Sequence, residues 1–95
     1  MSSVKTYIGF ANKSGAIIKG VDDIMRSKKI ISLIIASEEL KENSRIKIIN
    51  FAEKKNIPII DIESGILTEL NLHGVKVLAI TDNNLANAVK KCINK

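Results

Sequence analysis

Apolar residues repeat along this chain with two alternating periods. Val4, Tyr7, Ile8 and Ala11 stand at i, i+3, i+4 and i+7, the stripe of a short helix that Ser2 or Ser3 can cap. Residues 16–19 are a brief apolar run next to glycines, which predicts a strand. Val21, Ile24 and Met25 then outline one face of a second helix, with Arg26, Lys28 and Lys29 in its last turn, where cations suit the helix dipole. Residues 31–36 are continuous and β-branched, as expected of a strand covered on both faces. The longest helix is predicted over 40–55. Ile46, Ile49 and Ala52 or Glu53 fall at helical spacing, Ile48 and Phe51 widen the apolar face, and Asn56 suits a left-handed stop. A third strand follows over 58–62, and Pro58 at its start marks an edge position. Ser64 can cap a short helix carrying Ile66, Leu67 and Leu70, which Asn71 closes. A loop over 72–75 leads to a fourth strand at 76–81. Asp82 or Asn83 caps a last helix striped by Leu85, Val89 and Cys92.

Helices and strands therefore alternate from end to end. That order predicts an α/β fold, a three-layer α/β/α sandwich around a mainly parallel or mixed sheet. The 95 residues carry no linker-like stretch and 45% apolar residues, so residues 1–95 read as a single domain with a real core. No apolar run exceeds four residues, far short of the roughly 20 of a transmembrane helix. The N-terminus lacks the apolar region of a signal peptide, and one cysteine, Cys92, cannot form an internal disulfide. A cytoplasmic protein with no cofactor is the expectation.

Charge sharpens the picture. The net charge is +5, and residues 1–20 hold Lys5, Lys13 and Lys19 with no acid. Within them lies GFANKSGAIIKG, three glycines and two lysines just before a helix. Glycines admit backbone amides close to a ligand, and a helix start adds partial positive charge, so this stretch is the first candidate for an anion. It is no nucleotide-hydrolysing loop: Gly15 and Gly20 have that spacing, but Val21 and Asp22 stand where a lysine and a hydroxyl are needed. Asp22, Asp23, Glu38 and Glu39 are simpler as anions at helix starts than as metal ligands. A catalytic thiol at Cys92 has no base nearby in sequence, because the only histidine is His73. Tyr7, Phe10 and Phe51 are the only aromatics and fall on predicted core faces. Without exposed aromatics to stack single-stranded bases, a nucleic-acid partner is one read by backbone and folded shape.

GFANKSGAIIKG before a helix, MRSKKIISLIIAS, NIPIID and VKVLAITD, in that order and spacing, resemble the archaeal-type "L-seven-Ae" ribosomal-protein family, in particular its bacterial YlxQ-like branch. The likeness runs from about Tyr7 to Ile93. It implies an α/β/α sandwich with a four-stranded mixed sheet, no enzymatic activity, and binding of structured RNA, ribosomal RNA or the kink-turn among the candidates. Kink-turn binders carry G-x-N-E-x-x-K at the entry to the second helix, which falls here on Ile17, Lys19, Gly20 and Asp23. Lys19 thus stands for the Asn, Gly20 for the Glu and Asp23 for the Lys. The YlxQ-like run G-x-A-N-[RK]-x-[GR] is matched by Gly9, Ala11, Asn12, Lys13 and Gly15.

The resemblance implies an RNA surface in two halves. One joins Asn12, Lys13, Gly15, Lys19 and Gly20, with Arg26 as an outer contact. The other is the loop Leu72, His73, Gly74 and Val75 with Lys76. Lys13, Lys19 and Lys76 are expected on phosphates, Leu72 and Val75 over bases, and Gly15 and Gly20 at close backbone approaches. The expected partner is structured RNA, bound by a monomer away from any membrane. The competing reading is a protein-interaction module that keeps the fold without kink-turn recognition.

Overall fold

The computed structural model describes residues 3–93. Its elements are α1 (Val4–Lys13), β1 (Ile17–Lys19), α2 (Val21–Arg26), β2 (Leu33–Ser37), α3 (Glu42–Lys55), β3 (Ile59–Ile62), α4 (Ser64–Glu69), β4 (Val77–Ile80) and α5 (Asn83–Ile93). The four strands form one mixed sheet in the order β1-β4-β2-β3. β4 runs antiparallel to both β1 and β2, and β3 runs parallel to β2. β1 and β2 therefore point the same way, and their C-terminal ends meet the start of β4 at one end of the sheet.

The sheet is covered on both faces, which is why its central strands are apolar without a break. Side chains alternate across the pleat. Leu33, Ile35, Leu78 and Ile80 turn to the face covered by α1, α4 and α5, where Ile8, Ala11, Leu67, Ala86 and Val89 meet them. Ile34, Ala36, Val77 and Ala79 turn to the other face, where Ile24 of α2 and Ile48 and Ala52 of α3 pack. The α/β/α layers expected from the element order are present. Pro58 leads into β3 on the sheet edge, where its missing N–H leaves no gap in the ladder.

Caps follow local chemistry. The Ser3 side chain accepts from the Thr6 amide, Asp82 Oδ1 accepts from the Leu85 amide at 3.1 Å, and Asn56 ends α3 in the left-handed region at φ 57°. Ser2, the other cap considered for the first helix, lies outside the described residues.

Several sequence expectations need correction. α3 centres its apolar face on Ile48 and Ala52, while Ile46 is 51% exposed. Two residues are about 200° of helix, so Ile46 and Ile48 cannot share a face. α2 is a single short turn and a half ending at Arg26. Lys28 and Lys29 lie beyond it, and Met25 is exposed. α3 starts at Glu42, so Glu38 and Glu39 occupy the turn before it. α4 is capped at Glu63, with Ser64 already its first residue. Phe10, expected in the core, is 54% exposed.

Candidate nucleic-acid interface

Three connections converge at the end of the sheet where β1 and β2 finish and β4 begins. They enclose a cleft of about 660 Å³ lined from β1–α2 by Lys19, Gly20, Asp22, Asp23 and Arg26, and from the loop before β4 by Gly74, Val75 and Lys76. The turn into α3 and its first turns complete it with Glu39, Leu40, Lys41, Ser44 and Lys47. This is the end at which open α/β sheets ordinarily bind ligands, outside the carboxyl ends of strands.

Backbone hydrogen bonds set the geometry. The Gly20 amide donates to the Val77 carbonyl at 3.0 Å, fastening the β1–α2 turn to β4. The Ser37 amide donates to the Lys76 carbonyl at 2.7 Å, fastening β2 to the same point. Ser37 is 1% exposed and organises the turn beyond β2. Its hydroxyl accepts from the Glu39 amide at 3.1 Å, and its carbonyl accepts from the Leu40 amide at 3.0 Å. Arg45 completes the fastening: Nη2 donates to that carbonyl at 2.9 Å, and Nη1 donates to Asp61 Oδ1 on β3 at 2.6 Å. A charged donor on a half-covered carbonyl is among the stronger local bonds available.

Two glycines border the cleft with positive φ, Gly20 at +91° and Gly74 at +79°, and a Cβ built on either meets nothing within 4 Å. Packing therefore does not require glycine at these places; the backbone conformation does. Bare backbone at both walls leaves a partner room to approach.

The cleft holds five cations against three carboxylates. Lys76 Nζ pairs with Glu39 Oε1 at 2.8 Å, and Arg26 Nη2 pairs with Asp23 Oδ1 at 3.3 Å, all exposed. Lys19, Lys41 and Lys47 have no ion-pair partner among the described residues, which leaves the cleft with uncompensated positive charge facing solvent.

The predicted site residues divide. Lys19, Gly20, Arg26, Gly74, Val75 and Lys76 come together in the cleft, and His73 is exposed immediately before it. Asn12, Lys13 and Gly15 do not join them. They precede β1, and the Ala16 carbonyl accepts from the Thr81 amide past the end of β4, at the opposite end of the sheet. At about 3.3 Å per residue, the extended chain from Ala16 to Gly20 spans roughly 13 Å. Gly15 has its own structural reason, a φ of +74° just past the Ser14 cap of α1. Leu72, expected over bases, is 4% exposed and belongs to the core beneath α1, α4 and α5, so its side chain faces inward. The start of α2, expected to present amides to an anion, has only six helical residues, with Asp22 and Asp23 in the first turn.

Sequence reasoning missed Lys41, Ser44 and Lys47. The available signal was strand direction: once β1 and β2 run the same way, the segments following both must share an end of the sheet. Asp22, Asp23 and Glu39 line the same cleft, and Asp23 and Glu39 are engaged by Arg26 and Lys76. Among the described residues no three His, Cys, Asp or Glu side chains gather to hold a metal ion, and no helix is long and apolar enough to cross a membrane.

The fold is a small α/β/α sandwich whose cleft, with more cations than carboxylates, lies at the end of the sheet where β1 and β2 finish. Residues 2–91 match the model of the Ribosomal protein L7Ae/L30e/S12e/Gadd45 family, and the chain belongs to that family. Membership points to an RNA-binding, ribosomal-type protein in a family that is not enzymatic. Among solved structures, a protein with unknown function from Bacillus halodurans C superposes with a TM-score of 0.89 over 100% of both chains at 14% identity, a likeness of fold. No curated protein matches the sequence.

Proposed function

We propose that this chain is a cytoplasmic member of the YlxQ-like bacterial branch of its family. Its cleft would bind a structured RNA, with ribosomal RNA or a kink-turn-like motif as the target classes. The observation that supports this most is the meeting of Lys19, Lys41, Lys47 and Lys76 around two glycine-bared walls. Phosphates placed there release counterions from the RNA, the main source of affinity for such partners. A folded RNA is favoured over a splayed single strand, since Tyr7 and Phe51 are partly buried and the exposed Phe10 lies on α1, outside the cleft. Lys19, Gly20 and Asp23 replace the Asn, Glu and Lys of kink-turn binders. In this reading, backbone contacts by Lys41 and Lys47 compensate for the altered base contacts.

A second reading, a protein-interaction module that has lost RNA recognition, is favoured by the exposed Asp22 and Asp23 at the cleft wall. Crosslinking in cells followed by sequencing of bound RNA separates the two. The proposal expects enrichment of a folded RNA that disappears in a Lys19→Glu/Lys41→Glu variant. Recovery of no enriched RNA would contradict it and favour the second reading.

A further inference from the structure

A second cleft, of about 530 Å³, lies between the segment following α2 and the C-terminal end of α3. That volume is within the roughly 300–1,000 Å³ of clefts that enclose ligands. Its walls carry Lys28, Lys29 and Lys55 and no carboxylate, and none of the three lysines has an ion-pair partner among the described residues. Its apolar part comprises Ile30, Ile31, Phe51 and Ile57. Ile30 is 86% exposed, the most exposed large apolar side chain among the described residues. The loop presenting it is held locally, because Ser27 Oγ accepts from the Lys29 amide at 3.1 Å.

We infer that this cleft docks an acidic segment of a partner protein, one that inserts an apolar side chain beside Ile30 and Phe51 while its carboxylates meet Lys28, Lys29 and Lys55. Charge complementarity selects an anionic occupant. The apolar half selects a peptide over a nucleic acid: a phosphodiester backbone would lay hydrated oxygens across Ile30, Phe51 and Ile57, whereas a peptide removes that surface from water. An exposed apolar group rimmed by polar residues is also the usual form of a protein-docking surface. The cleft flanks α3 at the end opposite Lys41, Ser44 and Lys47, so its occupation is compatible with a filled RNA cleft and does not depend on one.

The test uses the whole protein, labelled with 15N, and a short fluorescein-labelled peptide in which glutamates flank a Leu-Phe pair. Two controls accompany it, the same peptide with Ser-Ser replacing Leu-Phe and a short RNA duplex. The amphipathic peptide is expected to bind by anisotropy and to shift the amide resonances of residues 27–31 and 55–57. Ile30→Ser should weaken it roughly tenfold, the effect of losing one well-covered aliphatic side chain. Lys28→Glu/Lys29→Glu should weaken it further and reduce its salt dependence. All three positions are exposed, so circular dichroism should stay unchanged in both variants. Absence of peptide binding, equal binding of the Ser-Ser control, or stronger shifts of the same residues by the RNA duplex would each overturn the inference.

Discussion

Gly20→Ala and Gly65→Ala make the same chemical change in the same open space and should move stability in opposite directions. A Cβ at either position meets nothing within 4 Å, so neither substitution causes a clash. Gly20 has φ +91° and ψ 147°, a region that is essentially glycine's alone. Holding alanine there costs about 1–3 kcal/mol, offset by about 0.4–1 kcal/mol from the reduced entropy of the unfolded chain. A net loss of about 1–2 kcal/mol lowers Tm by about 5–15 °C in a domain of this size. Gly65 lies in the first turn of α4, where alanine is the better helix former, and a gain of about 0.5 kcal/mol raises Tm by about 2–4 °C. Calorimetry or thermal circular dichroism on both variants reads the difference. Equal Tm changes of the same sign would refute the claim that backbone conformation, rather than packing, dictates glycine at the cleft wall.

Arg45→Met should cost about 1.5–3 kcal/mol in urea unfolding, because it removes the charged bond to the Ser37 carbonyl. Asp61→Asn, which weakens only an ion pair whose carboxylate is exposed, should cost about 1 kcal/mol or less; a larger loss for Asp61→Asn would reverse that ranking. Ile48→Ala should cost about 2–5 kcal/mol, while Ile46→Ala should stay within about 0.5 kcal/mol, and comparable losses would move the buried face of α3. Glu39→Gln frees Lys76 and removes one repulsive charge from the cleft, so affinity for structured RNA should rise about threefold in filter binding. Unchanged or weaker binding would exclude phosphate contact at that wall.

The sequence made the elements legible where physical constraints were local. The unbroken apolar runs of β2 and β4 announced strands covered on both faces. Asn56 announced the end of α3, and Pro58 an edge strand. Caps and helix faces were less legible, because Ser64 and Glu63 are neighbours and Ile46 and Ile48 differ only in which way the helix is turned. The site was half legible. Lys19 and Gly20 were found together with Gly74, Val75 and Lys76, but Asn12, Lys13 and Gly15 were joined to them by a motif resemblance and by being close in sequence. Three residues of β1 carry the chain from one end of the sheet to the other, and closeness in sequence hides that passage. Lys41 and Lys47 reach the cleft because β1 and β2 point the same way. That direction is set by pairing with β4, about forty residues later in the chain than β2. Leu72 faces the core for a similar reason: the loop carrying it is folded under by its neighbours, and a loop's polarity pattern does not report that.

The most direct test of the RNA reading is a salt titration of binding to a folded, kink-turn-like RNA by the unaltered protein and by Lys19→Glu, with a random duplex as reference. The account predicts that the unaltered protein prefers the folded RNA and that its affinity falls steeply with salt. Lys19→Glu should bind more weakly, with a log–log slope shallower by about one unit. Identical affinity and slope for the two proteins, or no preference for the folded RNA, would contradict it.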